Sequence, residues 1–477
     1  MEFPILSTLI FLPILLSLFV VLARTGKQAK ITAAIISFTN FVLSLVMLSA
    51  FNVADANMQF VELYNWVPSF NIQYFLAVDG ISVVLILLTT LLSFLAVYFS
   101  PSKVDQARLY YSMFLVLQGL AIGLFCAFDA ILFYVFFEAM LIPMFLIIGL
   151  WGGENKLYAT FKFFLYTLFG SVLFLVSLIY IYMQTGSFSM LAWQEASFTL
   201  LEQKWLFVAM FIAFAIKVPM AGLHTWLPDA HVQAPTAGSV ILAGVLLKIG
   251  TYAMLRFLLP VLPDASAYFA HFVMALSVFA IIYASFIAYA QTDIKKMIAY
   301  SSIAHMGFIT LGIFAATELA IQGAIMQMIN HGLVSAGLFF AIGVIYERLH
   351  TRDINKLGGL ADKMPRYAFV FMVLMLASVG LPGTANFVGE ITILMGSFEA
   401  SAVLTLLAVT GVLLGACYML KLYKEMFYKQ TVEVAEVKDL IDKEVIVFTP
   451  LLVLIIVLGL YPNLVFDITA TAVKGLM

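Results

Sequence analysis

The sequence predicts an all-α, polytopic membrane protein with about fourteen transmembrane helices. Of its 477 residues, 64% are hydrophobic and only 10% are charged, and the mean hydropathy is +1.08. A water-soluble protein of this length needs a surface much richer in charge. The apolar runs are continuous rather than alternating, so they favour membrane-spanning helices over a β-barrel.

Apolar runs of about 20 residues, the length that crosses a bilayer, recur along the whole chain. Two of the runs are interrupted by proline and glycine, the seventh and the twelfth. The polar stretches between runs are too short to fold alone, so residues 1–477 form a single membrane domain. The predicted spans are centred near residues 14, 40, 87, 118, 139, 172, 213, 246, 279, 306, 333, 382, 413 and 456.

Lysine and arginine are distributed unevenly between the two sets of connections. Most of the 24 basic residues follow the first, third, fifth, ninth, eleventh and thirteenth spans. Because cytoplasmic connections collect positive charge, these loops are predicted to be cytoplasmic and both termini periplasmic. The first run resembles a retained span rather than a signal peptide, and no transit peptide precedes it. We therefore expect a bacterial inner membrane protein.

The connection at 431–444 has a different composition from the other loops. Its apolar residues Val432, Val434, Val437, Leu440 and Ile441 are interleaved with acids and lysines, roughly as a helical stripe. The pattern predicts either a surface helix along the bilayer or a solvated loop helix.

Two local similarities suggest an internal duplication. Val218-Pro219 in the seventh run resembles Leu381-Pro382 in the twelfth, and GTYAMLR at 250–256 resembles GACYMLK at 415–421. The predicted organisation is three N-terminal helices, two repeats, and then a surface helix with the last span. The corresponding ranges are 1–105, 106–260, 261–428 and 429–477.

Four ionisable residues fall well inside apolar runs: Glu138, Lys217, Lys248 and Glu390. A charge at the centre of a membrane helix costs ~2.5–3.5 kcal/mol on insertion scales. Any one of them could be a static ion pair or a side chain that reaches the interface. Together with two broken helices, which require a hydrated interior, they favour a path for protons or ions.

Histidines supplement this set. His224, His305 and His331 lie in or beside apolar runs, and an imidazole exchanges protons near neutral pH. His305 and His331 could link Lys248 to Glu390, although each alone could equally be a hydrogen-bonded packing residue.

Other chemistry is not indicated by the sequence. The two cysteines, Cys126 and Cys417, stand singly in apolar runs, and the histidines lack metal-site spacing. No phosphate-binding loop is present in the sequence, and a net charge of −2 gives no reason to expect nucleic acid as a partner. We expect no cofactor or metal in this chain.

Three segments resemble a known family. KVPMAGLHTWLPDAHVQAPTAGSVILAGVLLKIGTYAMLR at 217–256, QTDIKKMIAYSSIAHMGF at 291–308 and MINHGLVSAGLFF at 328–340 look like the antiporter-like membrane subunits of respiratory complex I. The resemblance implies fourteen helices, two inverted five-helix repeats with broken helices 7 and 12, and a lateral proton path. The glutamate at position 390, in NFVGE, resembles the chain-M type of this family, because chains L and N and antiporter relatives usually carry lysine at that position.

The resemblance also implies roles and partners. Glu138 would pair with Lys217, Lys248 would be the central relay, Glu390 the exit, and His224 would line the path. The chain would be a proton-translocating part of NADH:quinone oxidoreductase, beside chains L and N, with flavin, iron–sulfur clusters and quinone held elsewhere. The alternatives are a subunit of a multi-component Na⁺/H⁺ antiporter and a scaffold whose buried charges are static.

Overall fold

The computed structural model describes residues 3–429 and 437–476 and shows a bundle of membrane helices. The predicted helical class is confirmed. The helices of the first half are α1 (Ile5–Val21), α2 (Gly26–Ala50), α3 (Gly80–Phe99), α4 (Ala107–Cys126), α5 (Ala130–Ala139), α6 (Leu141–Trp151), α7 (Lys156–Thr185), α8 (Met190–Gln194), α9 (Leu200–Lys217), α10 (Trp226–Gln233), α11 (Thr236–Ile241) and α12 (Leu247–Ala253). Those of the second half are α13 (Pro263–Ala290), α14 (Ile294–Ala315), α15 (Glu318–Leu349), α16 (Leu360–Lys363), α17 (Pro365–Val379), α18 (Ala385–Ala400), α19 (Ala402–Phe427), α20 (Asp442–Leu460) and α21 (Asn463–Lys474).

Eleven helices within the described ranges are long and apolar enough to cross a membrane, and α1 and α17 are shorter apolar helices. The exact number of fourteen crossings stays a prediction. The most buried helices are α3, α14, α15 and the continuous helix that contains α12, whereas α2, α19 and α20 are only one-third buried. The former make the centre of the bundle, and the latter expose apolar side chains at its perimeter.

Both predicted breaks occur at the prolines. Helix α9 ends at Lys217, just before Pro219, and α10 begins only at Trp226. Helix α17 ends at Val379, followed by Gly380 in the left-handed region with φ +80°, and α18 begins at Ala385. A proline has no N–H to continue the helix, and a glycine in this conformation is a common helix terminator.

The helix Thr236–Leu258 contains an irregularity that apolar periodicity does not indicate. Two five-residue π segments, Leu242–Leu246 and Met254–Leu258, lie on either side of the seven-residue α12. A π turn adds one residue to the helix and loosens its hydrogen bonding, and such turns are frequent at functional sites.

A β-hairpin departs from the predicted all-α class. Strands β1 (Gln59–Val67) and β2 (Ile72–Val78) pair antiparallel between α2 and α3. The buried carboxylate of Glu62 accepts hydrogen bonds from the first N–H groups of α1, at Leu6 and Ser7. The hairpin thus caps the first membrane helix.

The C-terminal region differs from the predicted arrangement. Of the stretch 431–444, where a helix was expected, residues 431–436 lie outside the described residues, 437–441 are not helical, and Asp442 already begins α20. The chain instead carries an additional helix, α21, after its last long span. Thr471 of α21 donates a hydrogen bond to the Val53 carbonyl, so both ends of the chain lie at the hairpin end of the bundle.

Candidate functional site

Glu138 lies at the end of α5, where the helix is interrupted before α6. Pro143 removes the N–H that would bond the Ala139 carbonyl, which accounts for the interruption. Glu138 is half-buried, and its Oε1 atom is buried without a hydrogen-bond partner among the described residues. The carboxylate interacts with the Ser171 hydroxyl, and Oε1 remains open to a further donor.

Lys217 is the last residue of α9 and is 7% exposed. Its ammonium nitrogen lies 4.5 Å from the centroid of the Phe137 ring. No N···O contact of 4.0 Å or less joins Glu138 to Lys217 in the described part of the chain, so the expected ion pair is not closed here. The ammonium instead contacts the ring of the residue preceding Glu138, Phe137.

Lys248 is fully buried in α12. Its Nζ donates to the Ala243 carbonyl oxygen at 2.5 Å and lies 2.7 Å from Nδ1 of His331. Ala243 belongs to the first π segment, so the loosened helix provides the acceptor for the lysine. A charged group this deep requires such partners, because the membrane interior offers no solvent.

Two histidines continue the line from Lys248. The imidazole rings of His331 and His305 lie with centroids 5.6 Å apart and share no hydrogen bond. Nδ1 of His305 is 2.8 Å from Oε1 of Glu390, which also accepts from Nε2 of Gln327 at 3.1 Å. Lys248, His331, His305 and Glu390 thus form a row of adjacent side chains, and proton transfer along it stays a prediction.

Glycines allow the helices to come this close. A Cβ on Gly250 would lie 2.8 Å from the Phe214 carbonyl oxygen and 2.6 Å from a Val218 methyl, so α12 crosses directly over the end of α9. A Cβ on Gly332 would lie 3.0 Å from the Gly244 carbonyl oxygen. The two contacts bring Lys217 beside α12 and His331 beside the first π segment.

His224 stands apart from the row. It is buried in the break between α9 and α10, with its ring edge-on to Tyr283 and Tyr300, at centroid distances of 5.6 and 6.2 Å. No hydrogen bond connects it to Lys217 or Lys248 within the described ranges. Its expected position along the path stays a prediction.

The segment after this break forms the helix α10. His231, given no role by sequence reasoning, is fully buried in α10 and stacks on Phe339 at 4.6 Å. Both of its ring nitrogens are without partners among the described residues. Nothing in the local sequence indicates this burial.

A buried charge also escaped the sequence analysis. Arg256 is 6% exposed and pairs with Asp79 at 2.5 Å. Burial alone would raise the pKa of Asp79, but the adjacent guanidinium outweighs it and lowers the pKa below its ordinary value. Arg256 also lies over the rings of Phe128 and Tyr252, which fixes the second π segment against the start of α3.

No group of three or more His, Cys, Asp or Glu residues within 3–429 and 437–476 could hold a metal ion. Each of the four side chains in the row can gain or lose a proton.

Comparison with known proteins places this row in context. Residues 127–415, which include every candidate residue, match the family described as "NADH:quinone oxidoreductase/Mrp antiporter, TM". The chain is 47% identical to NADH-quinone oxidoreductase subunit M of Rickettsia prowazekii over 100% of this chain and 99% of that protein.

Solved structures show the same similarity. A chain of respiratory complex I from Thermus thermophilus superposes with a TM-score of 0.89 at 29% identity, covering 99% of both chains. A chain of the Mrp complex from Dietzia has the same TM-score at 19% identity, covering 100% of this chain and 98% of that one, which shows a common fold. This chain belongs to the family of antiporter-like membrane subunits of NADH:quinone oxidoreductase, in its subunit M branch.

Proposed function

We propose that this subunit moves protons along the middle of the membrane through Lys248, His331, His305 and Glu390. The observation that carries the proposal is their arrangement as consecutive neighbours, with polar contacts of 2.7 and 2.8 Å at the two ends. These residues come from three different membrane helices, α12, α15 and α14, and from the half-helix α18. A purely structural ion pair would need only two ionisable side chains, whereas this row contains four.

The proton transfers follow from the contacts. The Lys248 ammonium gives a proton to Nδ1 of His331, leaving a neutral amine and an imidazolium. Nε2 of His331, which has no partner among the described residues, then passes a proton toward His305 through ring rotation or an intervening water. His305 releases a proton from Nδ1 to the Glu390 carboxylate, the expected exit.

Lys217 and Glu138 would control the charge at the start of this row. When the Lys217 ammonium moves against Glu138, its positive charge is neutralised locally, and when it moves away the charge acts on Lys248. A buried charge has a large effect at short range because the surrounding dielectric is low. The coupling to quinone reduction would be conformational and electrostatic.

We further propose that flavin, iron–sulfur clusters and quinone bind other subunits, and that the neighbours of this chain are antiporter-like subunits of the L and N types. The basic loops are proposed to face the cytoplasm of a bacterium, with both termini periplasmic. A multi-component Na⁺/H⁺ antiporter is the alternative, and glutamate rather than lysine at position 390 argues against it.

The test is Glu390→Gln in the assembled complex, measured as NADH-driven proton uptake by inverted membrane vesicles. Glutamine keeps the size of the side chain but not its proton, so we expect pumping to fall at least ~10-fold. Glu399→Gln on the same helix, at an exposed position, is the matched control and is expected to pump normally. Normal pumping by both variants, with normal assembly, would contradict the proposal.

A further inference from the structure

The Lys217 ammonium has two possible partners on consecutive residues. It lies over the face of Phe137 at 4.5 Å, while the carboxylate of the next residue, Glu138, has a buried oxygen without a partner among the described residues. Aromatic faces attract cations through their quadrupole, and more strongly where water is excluded. Phe137 is fully buried, so this contact is of the stronger kind.

The ring of Phe137 is held in place by its neighbours. It stacks on Phe133 at 6.1 Å and meets Phe174 edge-on at 6.0 Å. Phe174 in turn packs against Phe214, which lies on α9 one turn before Lys217. The same aromatic cluster therefore fixes both the ring and the helix end that carries the lysine.

Lysine itself is the mobile part of this arrangement. Its ammonium sits on a flexible four-carbon stem, and successive side chains on a helix differ by only about 100° in direction. Rotamer changes of Lys217 can thus carry the ammonium from the ring to the carboxylate without a change in the backbone.

We propose that Phe137 is a positioning residue for proton transfer: its ring is where the Lys217 ammonium docks whenever it is separated from Glu138. The inference rests on the proposed function, because it supplies the open position of the Glu138–Lys217 switch. An uncharged amine is not attracted by the ring quadrupole, so docking there favours the protonated lysine. The ring thereby holds the positive charge near α12 instead of letting it return to the carboxylate.

The experiment replaces Phe137 by phenylalanine analogues with increasing numbers of ring fluorines in the intact complex, and measures NADH-driven proton pumping in vesicles. Fluorine withdraws charge from the ring face with little change in shape. We expect pumping to decline step by step, by about 2- to 30-fold in total, the range that corresponds to loss of a cation–π contact. Phe137→Leu should show the same loss, and Phe137→Tyr should pump normally.

Phe133→Leu is the control for packing, because Phe133 belongs to the same cluster and its ring carries no ammonium among the described contacts. Equal loss in Phe133→Leu and Phe137→Leu, with no effect of fluorine, would overturn the inference. Glu390→Gln, the test of the proposed path, separates the two proposals. If it abolishes pumping while fluorination has no effect, only the role of Phe137 is wrong; if it pumps normally, the proposed function is wrong.

Discussion

At the scale of single residues, the buried charges fall into two kinds. Lys248 and Glu390 contact groups that can exchange a proton, whereas Arg256 contacts Asp79 and the Ser82 hydroxyl and is also enclosed by two aromatic rings. An arginine is effectively always protonated in proteins, so it serves as an anchor rather than a relay. The sequence places Lys248 and Glu390 inside apolar runs but does not indicate the burial of Arg256.

The anchoring role of Arg256 leads to a prediction about stability. Asp79→Asn leaves the guanidinium buried without a counter-ion, and we expect a loss of about 3–5 kcal/mol. Adding Arg256→Met should restore part of it. The measurement is thermal denaturation of the purified complex. Lys429→Met breaks the exposed pair with Glu425 and should change stability by only about 0.3–0.5 kcal/mol.

The same ion pair predicts a pH dependence. The folded-state pKa of Asp79 lies below its ordinary value, so the pair contributes stability at neutral pH. That contribution is lost as pH falls through the folded-state pKa of Asp79. Asparagine does not titrate, so Asp79→Asn should not show this loss of stability at acid pH. An identical acid profile in the variant would contradict the assignment.

At the scale of elements, apolar runs and prolines were sufficient to locate the membrane helices and both breaks. Pro219 and Pro382 stand at the interruptions that the structure shows. The π segments around Lys248 could not be predicted. All faces of this helix are buried and apolar, so the one extra residue of a π turn does not disturb any periodic pattern in the sequence. The hairpin at 59–78 was missed because its strands mix polar with apolar residues, and the stretch therefore resembled a loop.

The crossing of α9 and α12 depends on Gly250. Gly250→Val would push a side chain into the Phe214 carbonyl and the Val218 backbone nitrogen, where even a Cβ would lie at 2.8 and 3.0 Å. We expect the helices to separate, moving Lys217 away from α12 and lowering pumping several-fold, together with thermal stability. Gly415→Ala is the control, since the nearest atom to its added Cβ is 3.8 Å away. Normal pumping by Gly250→Val would show that the spacing is not required.

At the scale of the whole molecule, the members of the row were predictable, but the order of the two histidines and the closeness of the contacts were not. His305 and His331 lie between Lys248 and Glu390 in sequence, which suggested a link, but the contacts depend on how α14, α15 and α18 pack. The separation of the Lys217 ammonium from the Glu138 carboxylate was not predictable, because the spacing of residues in the sequence does not show which group the ammonium contacts.

Orientation in the membrane can be tested directly. Cysteines introduced at the exposed Asn57, on the hairpin side, and at the exposed Asn155, among the basic loops, should react with an impermeant maleimide from opposite sides. The background carries Cys417→Ser, because Cys417 is exposed and Cys126 is buried. In intact bacterial cells we expect labelling at position 57 and none at 155, and the reverse pattern would invert the proposed topology.

The separation of the two imidazoles has a consequence for energy conservation. A pumping membrane must not leak, and groups in unbroken hydrogen-bond contact would let protons run back down the gradient that the complex builds. His331 and His305 are neighbours at 5.6 Å without a shared hydrogen bond. Under the proposed function, the row would be an insulator at rest and would conduct only while a ring turns or a water enters.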